Sequence, residues 1–196
     1  MRRLFKMVGF MLLLVATYQR SFPQRFPVFA NLSVGPSFAV GDFASKNSNS
    51  GGFAKTGFNV LLNGGVLFNS NFGFGVMANA TFSKMSDSNW GDNPKYLYNA
   101  LLVGPVFSVP ASQRVRIDMR MMGGYSQLQI NDGFAMDVSG CGFSYDAGVS
   151  LRYFIGTHWT VNASLDYFDA KIKYRYDYGE QKVQALNITF GAGFNF

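Results

Sequence analysis

Groups able to act as nucleophiles or proton carriers are scarce in this chain. Its one histidine is His158 and its one cysteine is Cys141. A Ser-His-Asp arrangement needs a hydroxyl and a carboxylate gathered around one imidazole. His158 lies in the short segment Gly156-Thr157-His158 between two strand-like runs, a poor place to assemble one. One His with one Cys does not make a zinc site, and Cys141 has no second thiol to pair with, which leaves it a free thiol or a small filler. Asp87, Asp92, Asp132 and Asp137 fall in polar segments and read as solvated charges. Gly140-Cys141-Gly142 lacks the strand-to-helix context of a phosphate loop. No catalytic residue, metal or cofactor is expected.

Six charged residues lie on the polar face of strand-like runs, and their spacing is informative. Arg116, Asp118 and Arg120 alternate with Val115, Ile117, Met119 and Met121. Asp146 and Arg152 interrupt a second such run, Tyr145 to Tyr153, and Asp166 a third, Val161 to Tyr167. Both signs thus share one face of three segments whose other face is apolar. Ions sealed away from water need partners, because an unpaired buried charge costs several kcal/mol. If Tyr125 stands opposite Phe143, Arg120 comes diagonal to Asp146 and Asp118 diagonal to Arg152, within reach of long side chains. The chemistry expected is ion pairing inside a narrow lumen.

The elements that must position this network are strands. From Val28 to Val40 the even positions are Val, Ala, Leu, Val, Pro, Phe and Val, while Asn31, Ser33, Gly35 and Ser37 take the odd ones. That period of two marks a strand with two distinct faces. It recurs through Phe72–Phe82 and Leu186–Phe196. Eight strands are expected, near 28–41, 55–68, 72–85, 95–109, 114–127, 141–155, 159–172 and 182–196. In the second and fourth, Leu61, Leu67, Leu101 and Val103 fall on the nominally polar face. Tight turns at 69–71, 110–113 and 156–158 alternate with longer polar loops near 42–54, 86–94, 128–140 and 173–181. That alternation is an up-and-down meander with all long loops at one end, and in transmembrane barrels the short turns are periplasmic.

The choice between a soluble and a membrane barrel rests on the polar face. A water-facing exterior carries Lys and Glu on most strands. Here that face is mainly Gly, Ser, Asn, Thr and Ala, which suits a crowded narrow interior. The apolar face then meets lipid, and a sheet in hydrocarbon must close on itself. Aromatics gather towards both strand ends, Phe68, Phe72, Tyr153, Trp159, Phe194 and Phe196 at the tight-turn side, with Phe58, Phe82, Tyr96, Tyr98, Tyr125, Phe143, Tyr145 and Tyr167 at the other. Rings of this kind sit at membrane interfaces. Pro36 and Pro105 fall within strands and mark candidate breaks in the ladder.

The amino terminus carries Arg2, Arg3 and Lys6 ahead of an apolar run from Val8 to Ala16. This is the pattern of an export signal, too short to span a membrane. We assign residues 1–23 to a signal peptide, with cleavage between 17 and 28, and residues 28–196 to one barrel domain. The net charge of +6 misleads. Five basic residues and no acidic one precede residue 26, and beyond it 12 basic residues face 11 acidic ones. No nucleic-acid partner is expected. A charged fraction of only 14% with 17% aromatics also excludes a disordered chain.

The last strand sharpens the assignment. Thr189, Gly191, Phe194 and Phe196 place a polar residue, a glycine two later, and aromatics at the third-last and last positions. This resembles the terminal-strand signal by which assembly machinery recognises outer-membrane barrels. The chain as a whole is similar to the small OmpA/OmpX-like barrels and to the PorT-type outer-membrane β-barrel domains. The resemblance implies an all-β, eight-stranded antiparallel up-and-down transmembrane β-barrel preceded by a signal peptide, in the bacterial outer membrane. It also implies contact with outer-membrane lipid and lipopolysaccharide, and with the barrel-assembly machinery during biogenesis. With no cell-wall-binding segment after Phe196, an anchoring role is not expected. The resemblance leaves open a non-catalytic barrel with external binding loops, a lateral solute channel, a secretion accessory and a lipid-modifying enzyme.

Overall fold

The computed structural model describes residues 27–46, 51–69, 71–86, 95–131, 138–174 and 179–196. The signal segment expected at 1–23, Asp87, Asp92, Asp132 and Asp137 lie outside the described residues. Eight strands follow one another: β1 (Val28–Ala39), β2 (Ala54–Leu67), β3 (Phe72–Met85), β4 (Lys95–Pro110), β5 (Val115–Asn131), β6 (Val138–Phe154), β7 (Trp159–Tyr174) and β8 (Glu180–Asn195). One helical turn, α1 (Gly41–Ala44), sits between β1 and β2. Each strand pairs antiparallel with its neighbours in sequence, and β1 pairs with β8, closing the barrel.

The tight turns are held locally. Asn69 Oδ1 accepts the amides of Asn71 (2.9 Å) and Phe72 (2.6 Å), a side chain standing in for backbone in an Asx turn. Between β4 and β5 the Ala111 amide donates to the Val115 carbonyl at 2.9 Å. Between β6 and β7 the Ile155 amide donates to Trp159 at 3.0 Å.

Two expectations are corrected at the long-loop end. The third and fourth loops are shorter than 128–140 and 173–181, because β5 continues to Asn131, β6 resumes at Val138, β7 runs to Tyr174 and β8 starts at Glu180. Leu128 and Ile130 on the β5 extension, with Ile172 and Val183 near the ends of β7 and β8, point inward and are buried, so ordering the extra residues is offset by apolar burial. On β4 the faces are the reverse of the expected ones. Leu101 and Val103 point out, about half exposed, while Tyr96 and Tyr98 are buried inside and do not belong to an outer aromatic ring. Leu61 and Leu67 do point inward.

Pro36 and Pro105 point outward and leave the register unshifted. The β1–β8 pairing steps from Val34↔Phe190 to Ser37↔Asn187, and β4–β5 from Val103↔Gly123 to Val106↔Arg120, each in phase. A missing proline N–H removes ladder bonds locally without adding a residue.

Candidate functional site

Side chains on the inward positions of the strands fill the lumen. Nearest the tight turns, Arg152 on β6 reaches Asp118 on β5 through two parallel bonds, Nε to Oδ2 at 2.5 Å and Nη2 to Oδ1 at 2.9 Å. This is the fork geometry that guanidinium makes with carboxylate. Its Nη1 donates to Asn195 Oδ1 at 2.9 Å, and the Phe29 ring lies 4.1 Å from the guanidinium carbon. Arg116, on the same strand as Asp118, donates through Nε to Ser108 Oγ at 2.9 Å.

Tyr125 does stand opposite Phe143, and Arg120 faces Gly148 with Asp146 on its diagonal. The guanidinium nevertheless goes to Asp166 on β7, not to Asp146, and also donates to Ser150 Oγ at 3.1 Å. Gly148 is the reason. A Cβ there would collide with the Asp166 carboxylate, so the bare backbone at 148 lets that carboxylate cross β6 to Arg120. Asp146 lies beside Asp166 and within Coulombic reach of Arg120. All of Asp118, Arg120, Asp146, Arg152 and Asp166 are under 5% exposed.

Amide and hydroxyl pairs lie beside both the ionic and the aromatic groups. Asn59 Nδ2 donates to Asn79 Oδ1 and Thr81 Oγ1, both at 2.6 Å, and Asn31 Nδ2 donates to Asn63 Oδ1 at 3.0 Å. The signal for these pairs lay in the sequence as Asn on inward positions of adjacent strands, although only the register joins them. The upper layer is apolar. Phe43 of α1 folds back into the barrel mouth and packs on Tyr96 (5.1 Å between ring centres) and Tyr98 (6.2 Å), and Tyr98 stacks on Phe168 at 5.2 Å. The Tyr96 hydroxyl donates to the Gly52 carbonyl at 2.8 Å, tying the first loop to β4. Burial raises the Tyr96 phenol well above its ordinary value and keeps it the donor.

Outside, the wall changes character at one level. From the tight turns up to Phe58, Phe82, Tyr125, Phe143 and Tyr167 the outward residues are apolar or aromatic, with Asn99 on β4 the exception. On β6 this band, Phe143 to Tyr153, covers about eleven residues, the length a tilted strand needs to cross hydrocarbon. Above it, Lys55, Lys84, Lys95, Gln127, Lys171, Lys173, Lys182 and Glu180 line the outer surface. Glu180 takes Lys171 at 2.5 Å and Lys173 at 3.2 Å. These two ammonium groups hold its carboxyl below the ordinary glutamate value. Asp169 accepts from Gln184 Nε2 at 2.8 Å, and Lys182 stands 3.8 Å away.

At the tight-turn rim His158 bonds Thr157 Oγ1 through Nδ1 at 2.8 Å and stacks on Phe194 at 5.5 Å. Phe194 also packs edge-on to Trp159 (5.1 Å) and Phe196 (4.9 Å). Gly191 pairs with Ser33 across the closing seam, Thr189 points into the lumen, and the Phe196 amide donates to Val28 at 2.9 Å. Among the described residues no three His, Cys, Asp or Glu side chains gather to hold a metal.

A closed sheet with a lipid-facing band and a packed ionic interior defines the class, an eight-stranded transmembrane β-barrel. The family is equally plain: the model for the outer membrane protein beta-barrel domain matches residues 9–196, and the chain belongs to that family. Its place is the bacterial outer membrane. Among solved structures it is similar to Neisserial surface protein A, at 12% identity over 87% of this chain and 97% of that one, with a TM-score of 0.59. Ail, the attachment invasion locus protein of Yersinia pestis, is 19% identical over 88% and 100%, with a TM-score of 0.52. A major outer membrane protein from Thermus thermophilus is 12% identical over 88% and 100%, with a TM-score of 0.50. At these identities the likeness speaks for the fold. No curated protein matches the chain in sequence.

Proposed function

We propose that this protein is a non-catalytic integral outer-membrane barrel with a plugged lumen, whose binding work belongs to its long loops and upper rim on the cell exterior. The observation that carries this reading is the continuous filling of the lumen. The Arg152–Asp118 fork with Asn63 beside it, the buried Leu61, Met77, Leu102 and Met122, and the Phe43–Tyr98–Phe168 stack together occupy it. A cavity lined by Phe29, Asn63, Val106, Asp118, Arg120 and Met122 holds about 10 Å³, room for a single water. The His158 ring is engaged with Thr157 Oγ1 and Phe194 and not with a carboxylate, which supports a scaffold over a hydrolase. In this reading the tight turns and both ends of the barrel's chain, before β1 and after β8, face the periplasm, the long loops face outward, and Phe194 and Phe196 on the closing strand are the handle for the assembly machinery. The collar above the lipid band meets lipopolysaccharide.

Planar-bilayer recording on the refolded protein tests it: no steady conductance is expected. A large, stable conductance would overturn the plugged barrel. A change in lipid A mass when the protein is expressed would overturn the non-catalytic role.

A further inference from the structure

One acid of the lumen is left over once the ion pairs are drawn. Arg152 takes Asp118 and Arg120 takes Asp166, while neither oxygen of Asp146 has a hydrogen-bond partner among the described residues. Asp146 is buried, and a buried carboxylate is costly unless something answers its charge. Arg120 already serves Asp166 and Ser150, and its Nε, which has no acceptor, makes no bond to Asp146. The Tyr98 hydroxyl is engaged with Ser37 Oγ at 3.3 Å. Arg116 lies four residues, about 13 Å, from Arg120 along β5 and bonds Ser108 near the tight-turn rim. The trio Arg120, Asp146 and Asp166 therefore carries one negative charge that its surroundings leave uncancelled.

Neutral groups around the trio point the same way. Asn187 faces the lumen directly opposite Asp166 and is 1% exposed, yet neither end of its amide has a partner. Next to that pair on β7–β8, Ser164 opposes Thr189, both buried and both with unpartnered hydroxyls. Asp166 Oδ2 is unpartnered as well, since Arg120 is bonded to Oδ1. Residues opposed on one face of a sheet have Cβ atoms about 4.5–5.5 Å apart. Strands β6, β7 and β8 thus bring carboxylate, amide and hydroxyl oxygens to one sealed spot. Oxygen donors of this kind are those of hard cations. Arg120 cancels one of the two carboxylates, so a singly charged ion brings the sum to zero, whereas a doubly charged one would bury a surplus.

We propose that Asp146, Asp166 Oδ2 and the amide oxygen of Asn187 hold one alkali-metal cation in the lumen, with the Ser164 and Thr189 hydroxyls completing its shell. The ion is taken up as the barrel closes and exchanges slowly, because every group around it is buried. The site goes beyond the plugged-lumen reading and stands whichever end of the barrel faces the cell exterior.

Refolding the full barrel in detergent with radiolabelled sodium chloride, followed by desalting, tests it. The wild type is expected to retain one sodium ion per barrel. Excess unlabelled sodium present during refolding should displace the label, and choline at the same ionic strength should not. Asp146→Asn keeps the shape and removes the charge, so retention should fall about tenfold or more, and Asn187→Leu should do the same. Ser126→Ala should retain the ion, since that hydroxyl is equally buried and unpartnered but lies on β5 away from the site. All three variants should keep the shifted gel migration of an unboiled barrel. No retention by the wild type, displacement by choline, or undiminished retention in Asp146→Asn would overturn the proposal. So would an infrared band of a protonated carboxyl that Asp146→Asn removes, because a proton would then answer the charge in place of a metal. A conducting barrel that still retains its ion would sink the plugged-lumen reading and leave this site standing.

Discussion

The two ends of this barrel are built on opposite rules. Towards the tight turns the wall is apolar outside and ionic inside, with Met119, Val149 and Leu165 facing lipid while Asp118, Arg120 and Arg152 face the axis. Towards the long loops the same strands carry Gln127, Lys171 and Lys182 outside and Leu128, Ile172 and Val183 inside. The lower part is a membrane barrel and the upper part is a soluble barrel continued on the same strands. Strand length allows this, since β5 and β6 have 17 residues each, beyond the roughly 9–11 that cross hydrocarbon. The period of two never changes. What inverts is which phase is greasy, and the inversion marks where water replaces acyl chains. Basic residues divide along the same line. Among the described residues the buried ion pairs of the lumen below are made by arginines, with planar forks for carboxylates, and the exposed ones of the collar above by lysines, compact hydrated charges.

Truncation inside the two layers gives the largest contrast. Asp118→Ala leaves Arg152 buried without its carboxylate, for a loss of about 3–5 kcal/mol. Phe168→Ala in the upper layer should lose a similar amount, about 3–5 kcal/mol, by opening a cavity. The two differ in their rescue. Adding Arg152→Leu to the Asp118 variant should restore most of the stability, because the orphaned charge is gone. No second truncation should refill the space left at Phe168. Unfolding by guanidinium in detergent micelles measures all of these. A failure of Arg152→Leu to rescue would show that the lower layer, too, is held by packing rather than by charge.

A single arginine moved along the outer wall locates the boundary. Val149→Arg, in the apolar band, should cost about 2–4 kcal/mol, and Gln127→Arg, above Tyr125, about 0–1 kcal/mol. Unfolding in phosphatidylcholine vesicles separates them. Equal penalties would place the hydrocarbon edge elsewhere than at the Tyr125–Phe143–Tyr167 ring.

Much of the lower region was legible from sequence for a physical reason. Lipid demands an unbroken greasy phase, so the alternation from Val115 to Met121 and from Tyr145 to Tyr153 declares the faces directly, and the opposition of Tyr125 and Phe143 follows from hairpin symmetry. The upper region hides its faces, because a soluble-type wall there turns the greasy phase inward without any break in the period. On β4 the inward set runs Tyr96, Tyr98, Leu102, Val106 and the outward set Leu97, Leu101, Val103. Both are apolar, so composition could not choose between them. The Arg120–Asp166 pair was missed for another reason: it spans two strands, and only the absent side chain of Gly148 lets it form. Lys84 and Lys95 flank the second long loop symmetrically, and mirror pairing about that loop would have set them opposite each other.

The smallest expected effect is a titration, and it probes the upper wall without touching the fold. Glu180 is exposed, and its carboxyl is held below the ordinary glutamate value by hydrogen bonds from Lys171 and Lys173. A carboxyl whose folded pKa lies below its unfolded value contributes stability at pH above the unfolded value. That contribution is lost as the pH falls through the folded one. Carbon-detected NMR of the Glu180 carboxyl should therefore show a midpoint under that of an unstructured glutamate. Lys171→Met or Lys173→Met should move it part of the way back, and both together fully. Because the group is bathed in water, about 1 M salt should remove most of the shift. An ion pair of the lower lumen, sealed from the solvent that carries the salt, has no such sensitivity. A Glu180 midpoint that ignores salt would mean the collar is not in water at all, and the boundary between the two halves would have to be drawn above β8's first residues.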